Sequence, residues 1–472
     1  MQRPIGVFAV LCLLSSCGDN GGPTEETSRL IEVVGPAQHA GTPLDTVSEL
    51  LTVRVTDEHQ RPLAGVPVTW SAGSGGSMIP QAPSTDGEGL ARARWVLGWQ
   101  PGTQQANATV TRAAAAAVFH ATAEGFQATT LSVGDGDHQC GITAGGALYC
   151  WGPNDDGQLG NGSTTDSDVP VLALVNGPIT QAVTGYSPYA GDFTCALTSS
   201  GQVYCWGAND VGQLGNGTSA ASTTPVPVQL PSISFKALSA RGGGACALST
   251  EGDAYCWGYN YFGRFGTGAI EGLESSRSIP ARVVGGFRWQ QVALGDDRSC
   301  GVREGGQVYC WGAQPDWLGT GVDTNTVAPL RVTNAPLMDS VTVSAWHQCG
   351  ITPNHVTYCW GINHNIGVED APNIIPDPIP LAVPPALRSI HSAYDPTFGV
   401  GLDGIGYWWG PPHGATGGPP LRPEPFSGDI PLAGIGLTGS GVCGIEASTG
   451  TVYCWSLFSW SGPERLTAPA RP

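Results

Sequence analysis

Fourteen cysteines in 472 residues are the first groups whose chemistry has to be assigned. Twelve of them stand in pairs: Cys140 with Cys150, Cys195 with Cys205, Cys246 with Cys256, Cys300 with Cys310, Cys349 with Cys359, and Cys443 with Cys454. Five pairs enclose nine residues and the last encloses ten. Zinc ligands or a redox dithiol would call for C-x2-C spacing, which is absent. Each pair instead flanks a turn rich in Gly, Ser, Asn and Asp, followed by a β-prone return such as Val203-Tyr204. That describes a β-hairpin, and its ladder sets the two cysteines opposite each other at about 4.5–5.5 Å between Cα atoms. The pairs are read as six disulfides, each closing a loop of about 11 residues and contributing roughly 2–3 kcal/mol in the chain-entropy model.

The remaining reactive groups make a thin case for catalysis. Asp135 and Asp137 in GDGDH, and Asp155-Asp156-Gly157, lack the alternating oxygen ligands and downstream Glu of a calcium loop, so turn formation is the reading for both. His138 and His347 precede the first cysteine of their hairpins at the same position, which points to a structural hydrogen bond where the strand begins. His355 and His364 form only a weak metal pair. There is no Gly-x-Ser-x-Gly elbow, no His-Glu-x-x-His, and no phosphate loop with its lysine. The expectation is a chain with no catalytic residue, metal or cofactor, and no enzyme activity.

The elements that must carry these groups repeat. CGITAGGALYCWG from Cys140 returns as CALTSSGQVYCWG, CALSTEGDAYCWG, CGVREGGQVYCWG and CGITPNHVTYCWG. A sixth copy, FGVGLDGIGYWWG, puts Phe398 and Trp408 where the cysteines stood; a seventh runs from Cys443. After the hairpin, early copies continue WGPNDDGQLGNG, WGANDVGQLGNG and WGYNYFGRFGTG, then an extended Pro-containing segment, then a strand into the next copy. Seven copies about fifty residues apart are a repeat architecture. The pattern resembles the RCC1 repeat. That resemblance implies a seven-bladed β-propeller over residues 129–472, the repeated Trp acting as packing and the Gly after it allowing close approach. Closure of the ring is expected from 131–133 pairing with C-terminal residues. The family's nucleotide exchange on a nuclear GTPase is not carried over, because only scaffold motifs match.

Residues 29–125 follow another pattern, with short alternating strands between turn signals. "VTDEHQRPLAGVPVTW … STDGEGLARARWVLG … VFHATAEG" resembles the bacterial immunoglobulin-like domains of invasin- and intimin-type surface proteins, which implies a β-sandwich acting as spacer. Trp70, Trp95 and Trp99 are read as core and rim packing, and the alanine run 113–117 as part of a final strand. The fold class is therefore all-β: an Ig-like β-sandwich followed by a seven-bladed RCC1-like β-propeller.

Residues 1–16 combine Arg3, an apolar run and small residues, the makings of an export signal too short to span a membrane. Leu14-Ser15-Ser16-Cys17 resembles a bacterial lipoprotein signal, which implies lipidation of Cys17 and a polar tether over 17–28. Gly18 after the cysteine favours the outer membrane or cell surface of a bacterial envelope. Net charge is −18 with one lysine, Lys236, which speaks against nucleic acid and against membrane contact other than through the lipid anchor. Within the Trp-Gly-x-Asn-x-x-Gly frame the inner pair changes: Asp155-Asp156, Asp210-Val211, Tyr261-Phe262. These, with Trp317, are the candidate contacts of a monomeric protein for a protein or glycan ligand. The first alternative is an inhibitor of a secreted or periplasmic enzyme, by analogy with a secreted propeller that inhibits β-lactamases through its loop face; the second is an enzyme of a type that these motifs do not mark.

Overall fold

Strands account for nearly all the regular structure, as the turn-punctuated alternation requires. The computed structural model describes residues 28–465 apart from 42–45, 74, 99–101, 124, 231, 269–275, 314, 367, 369–371, 382–385, 393–395, 411–422, 439–440 and 457–463. The signal segment, Cys17 and Trp99 lie outside the described residues.

From Arg29–Val33 to Ala117–Ala123 the chain forms two four-stranded sheets around one apolar core. Val53, Val55 and Trp95 come from one sheet and Ala106, Phe119 and Ala121 from the other, all fully or nearly fully buried. Alternation does the sorting: Leu51, Val53 and Val55 are buried and Thr52 and Arg54 half-buried, because successive side chains leave a strand on opposite faces. Trp95 sits in the core and Trp70 packs at its rim. The alanine run joins the final strand only at Ala117; Ala114 and Ala115 lie in a bend.

Seven further sheets follow, one per sequence repeat, six of four strands and one, blade 2, of five. In blade 3 the innermost strand Phe235–Arg241 pairs with Gly244–Ser249, then Ala254–Tyr259, then Ser276–Arg282. The second strand is buried along its whole length, since blades cover both its faces, while the outermost strand is largely exposed. The six cysteine pairs are direct cross-strand partners, disulfide-bonded, with Cα atoms 4.0–4.1 Å apart. In blade 6, Phe398 and Trp408 occupy the same paired position, both buried.

The repeated Trp joins blade to blade. Trp206 Nε1 donates to Gln158 O at 2.8 Å, Trp257 Nε1 to Gln213 O at 2.9 Å, Trp311 Nε1 to Arg264 O at 2.8 Å, and Trp360 Nε1 to Leu318 O at 3.3 Å. Each acceptor belongs to the loop after the third strand of the preceding blade. Gly160 lies beneath Trp206 so closely that a Cβ there would stand 2.5 Å from Nε1, so the position admits only glycine. Trp409 and Trp455 have buried Nε1 atoms without a partner among the described residues.

Ring closure differs from the expectation. Thr130–Leu131 pairs with Gly141–Ile142 inside its own blade, and Val133–Gly134 runs parallel to Val183 and Thr184 of blade 2. Glu464–Arg465 is the outermost strand of blade 7, beside Tyr453 and Cys454. A strand so close in sequence to the free edge of its own hairpin closes a short loop there, which needs less entropy than crossing to blade 1. The seam is sealed instead by Gln127 bridging to Thr451, and by Phe126, Leu131 and Trp151 packing against Ile445 and Val452.

Candidate functional site

Antiparallel order puts the turn after each innermost strand and the loop after each third strand at the same end of the ring. The loop is built on a buried asparagine. Asn154 Nδ2 donates to Ser163 O and Thr165 O, both at 3.0 Å, while its Oδ1 accepts Leu159 N at 2.9 Å. Asn209 repeats this with Thr218 O, Ala220 O and Leu214 N, and Asn260 Oδ1 accepts Phe265 N. With the frame pinned, the two residues after Asn are left at the tip.

The candidate contacts separate at these tips. Asp155 and Asp210 are exposed, and Val211 is half-buried. Asp156 is committed inside the protein: its Oδ2 accepts Asp192 N at 2.8 Å, tying blade 1 to blade 2. Tyr261 stacks on Tyr259 at 5.6 Å, and the Phe262 ring lies 3.9 Å from that of Tyr261. Phe262 has φ +52, whereas its counterparts Asp156 and Val211 do not adopt positive φ. A bulky residue in that region is strained by about 1–2 kcal/mol. Trp317 is half-covered, with the Arg298 guanidinium 4.8 Å over its ring and Trp346 5.9 Å away. Sequence reasoning missed Tyr186, at the end of the innermost strand of blade 2, and Tyr189, in the turn that follows, exposed by 38% and 84%. The signal was available: YSPYAGD is longer than the glycine-rich turn ARGGGA of blade 3.

At the centre of this face lies a buried charge network. Arg241 Nε is 3.3 Å from both Asp296 carboxylate oxygens and 4.0 Å from Asp135 Oδ2, and Nη1 crosses the ring to Ser392 O at 3.1 Å. Arg264 donates to the carbonyls of Tyr259, Arg241, Gly242, Gly295 and Asp296. Burial lowers its pKa to about 10, so it stays charged at neutral pH. Burial, reinforced by Asp296 and opposed by Arg241, pushes Asp135 up to about 7. Such perturbed groups in a cleft often mark chemistry. Here Asp135 accepts Tyr186 N and Gly242 N, which braces the turns of blades 2 and 3. Among the described residues no cluster of His, Cys, Asp or Glu is placed to hold a metal ion.

The paired histidines make the hydrogen bonds their position implies. His138 Nε2 and His347 Nε2 each lie 2.6 Å from a threonine hydroxyl of the next blade, Thr194 and Thr397. His355 Nδ1 faces Leu387 O at 3.2 Å, and the His364 side chain lies outside the described residues.

The description "Regulator of chromosome condensation (RCC1) repeat" matches residues 145–190 and 200–248, and a second description of the repeat matches 289–314. The ultraviolet-B receptor UVR8 of Arabidopsis thaliana is 34% identical over 178 residues, 37% of this chain and 39% of the receptor. Among solved structures, Prp20p from Saccharomyces cerevisiae aligns with a TM-score of 0.57 at 20% identity, over 69% of this chain and 87% of that one. Human WBSCR16 aligns with a TM-score of 0.58 at 18% identity, over 69% and 95%. The chain carries RCC1 repeats and is homologous to RCC1/UVR8-like propellers. It spans about two-fifths of the receptor's length, and the structural likeness establishes the fold alone.

Proposed function

We propose that this chain is a lipid-anchored binding protein of a bacterial cell envelope, in which the loop face of the propeller engages a protein or glycan partner and the sandwich serves as an Ig-like spacer. The observation that carries this reading is the contrast at the loop tips. A constant Asn-and-Gly frame displays residues that differ from blade to blade, with Phe262 held at φ +52, and the neighbouring turn of blade 2 carries Tyr189, exposed by 84%. Aromatic side chains, here the exposed Tyr189 and the half-buried Tyr261 and Phe262, are a residue type that anchors macromolecular contacts. The yeast neighbour Prp20p is described together with its binding to Gsp1p and histones, so the fold supports protein recognition there.

The anchor rests on Cys17 at the end of an apolar segment, and export is supported by six disulfides, which form in oxidising compartments. The test is quantitative affinity capture from envelope extracts with the native chain and with Tyr189→Ala/Tyr261→Ala/Phe262→Ala. The native chain retains a discrete set of partners that the triple variant loses. Equal capture by both removes the loop face from consideration. Fatty-acid labelling that is unchanged in Cys17→Ser removes the anchor.

A further inference from the structure

We propose that the central channel of the propeller binds a small oxyanion ligand, a carboxylate or a phosphate, entering from the face opposite the loop tips. The channel encloses about 400 Å³ between the innermost strands of blades 2 to 6. That is within the range of small-molecule sites. At the loop-face end Arg241 bridges to Ser392 O across the ring while paired with Asp296. The channel is therefore blocked there, and access is from the other mouth.

That mouth is shaped by a repeated irregularity. In five blades the innermost strand slips register against its neighbour: between Ile179 and Gln181, Phe235 and Ala237, Trp289 and Gln291, Leu387 and Ser389, and Leu432 and Gly434. Each slip is a β-bulge, which leaves one unpaired residue and re-aims it. The extra residues are Thr180, Lys236, Gln290, Arg388 and Ala433, all exposed. Two of the five are cations and none is an acid, in a chain of net charge −18 whose one lysine is Lys236. Asp339, just before the innermost strand of blade 5, is the counterweight on this rim.

Arg388 lines the channel and donates to Leu432 O, and no carboxylate lies within ion-pair distance of it among the described residues. An unneutralised guanidinium presents a planar fork of donors that matches carboxylate and phosphate oxygens. Deeper in, Ser239, Thr342, Ser389 and His391 supply hydroxyls and an imidazole to the lumen. Burial holds the imidazole uncharged at neutral pH, with its pKa lowered to about 4, so it serves there as a neutral donor or acceptor.

The test is calorimetric titration of the purified protein with citrate, with inorganic phosphate, and with glycerol as the uncharged control. At least one anion binds at one site per chain and glycerol does not; which anion binds separates the carboxylate from the phosphate source. Arg388→Met weakens binding tenfold or more, and Arg388→Lys restores part of it. His391→Phe, which fills the lumen without changing the rim, abolishes binding, and so guards against a folding defect in the Arg388 variants. No anion binding, or binding unchanged in both Arg388→Met and His391→Phe, overturns the proposal. The loop-face triple variant retains anion binding, so this site and the partner-binding face stand or fall separately.

Discussion

Replacing His347 by Gln should flatten the acid limb of the propeller's stability. The imidazole is fully buried, with Nε2 2.6 Å from Thr397 Oγ1 and Nδ1 2.9 Å from Ser344 Oγ. Burial, and then the charges of Arg298 and Arg241, hold its pKa down to about 3. In the unfolded chain a histidine titrates near ~6.5. Below that value the unfolded state binds a proton that the folded state refuses, so stability is intact above ~6.5 and declines as pH falls. At about 1.4 kcal/mol per pH unit, His347 alone removes roughly 3.4 kcal/mol between pH ~6.5 and ~4. His391, lowered to about 4, acts in the same direction over the same window. Asp135 acts oppositely: raised to about 7 when folded, it keeps a proton that the unfolded chain gives up, so its contribution grows as pH falls from 7 towards 4.

Two histidines against one carboxylate leave a net uptake of about one proton on unfolding, or roughly 1.4 kcal/mol lost per pH unit from these groups. In His347→Gln the amide keeps a donor and an acceptor but cannot be protonated, so the loss per pH unit should shrink by roughly 1.4 kcal/mol. Urea unfolding followed by tryptophan fluorescence, without reductant, between pH 4 and pH 7.5 measures both slopes. A variant whose stability declines with pH as steeply as that of the native chain refutes the reasoning.

Other expectations follow from the joints between blades. Trp257→Phe loses the hydrogen bond to Gln213 O and part of a fully buried ring, a loss of about 2–4 kcal/mol, whereas Trp409→Phe, with no such bond among the described residues, loses about 1 kcal/mol less. Equal changes in urea midpoint would show that the hydrogen bond contributes nothing. Gly215→Ala places a Cβ 2.8 Å from Trp257 Cδ1 at φ +62 and should destabilise well beyond the roughly 1 kcal/mol of strain expected for Gly286→Ala, which has φ +66 and open space around it. Thermal unfolding compares the two, and similar shifts would contradict the close packing. Cys246→Ala with Cys256→Ala should lower stability by about 2–3 kcal/mol. Phe398→Cys with Trp408→Cys should form a seventh disulfide, because these residues face each other as the cysteine pairs do. Two free thiols in the oxidised double variant would count against the shared register.

Local spacing determined much of this protein. Nine residues between cysteines, a turn and a β-prone return specify a hairpin and its register without reference to distant residues, so the cystine pairs were legible in the sequence. So were the number of repeats, the alternation that builds the sandwich, and the buried role of the recurring Trp. Tertiary structure alone decided which atoms each blade offers its neighbour. Trp257 meets a carbonyl 44 residues earlier and Arg241 reaches one 151 residues later. Asp156 looked like a free loop tip yet binds a backbone N–H of the next blade. Ring closure and the bulges at the channel mouth belong to the same class. They arise from how seven similar units curve and pack into one ring, and side-chain types at local spacing carry no record of that curvature.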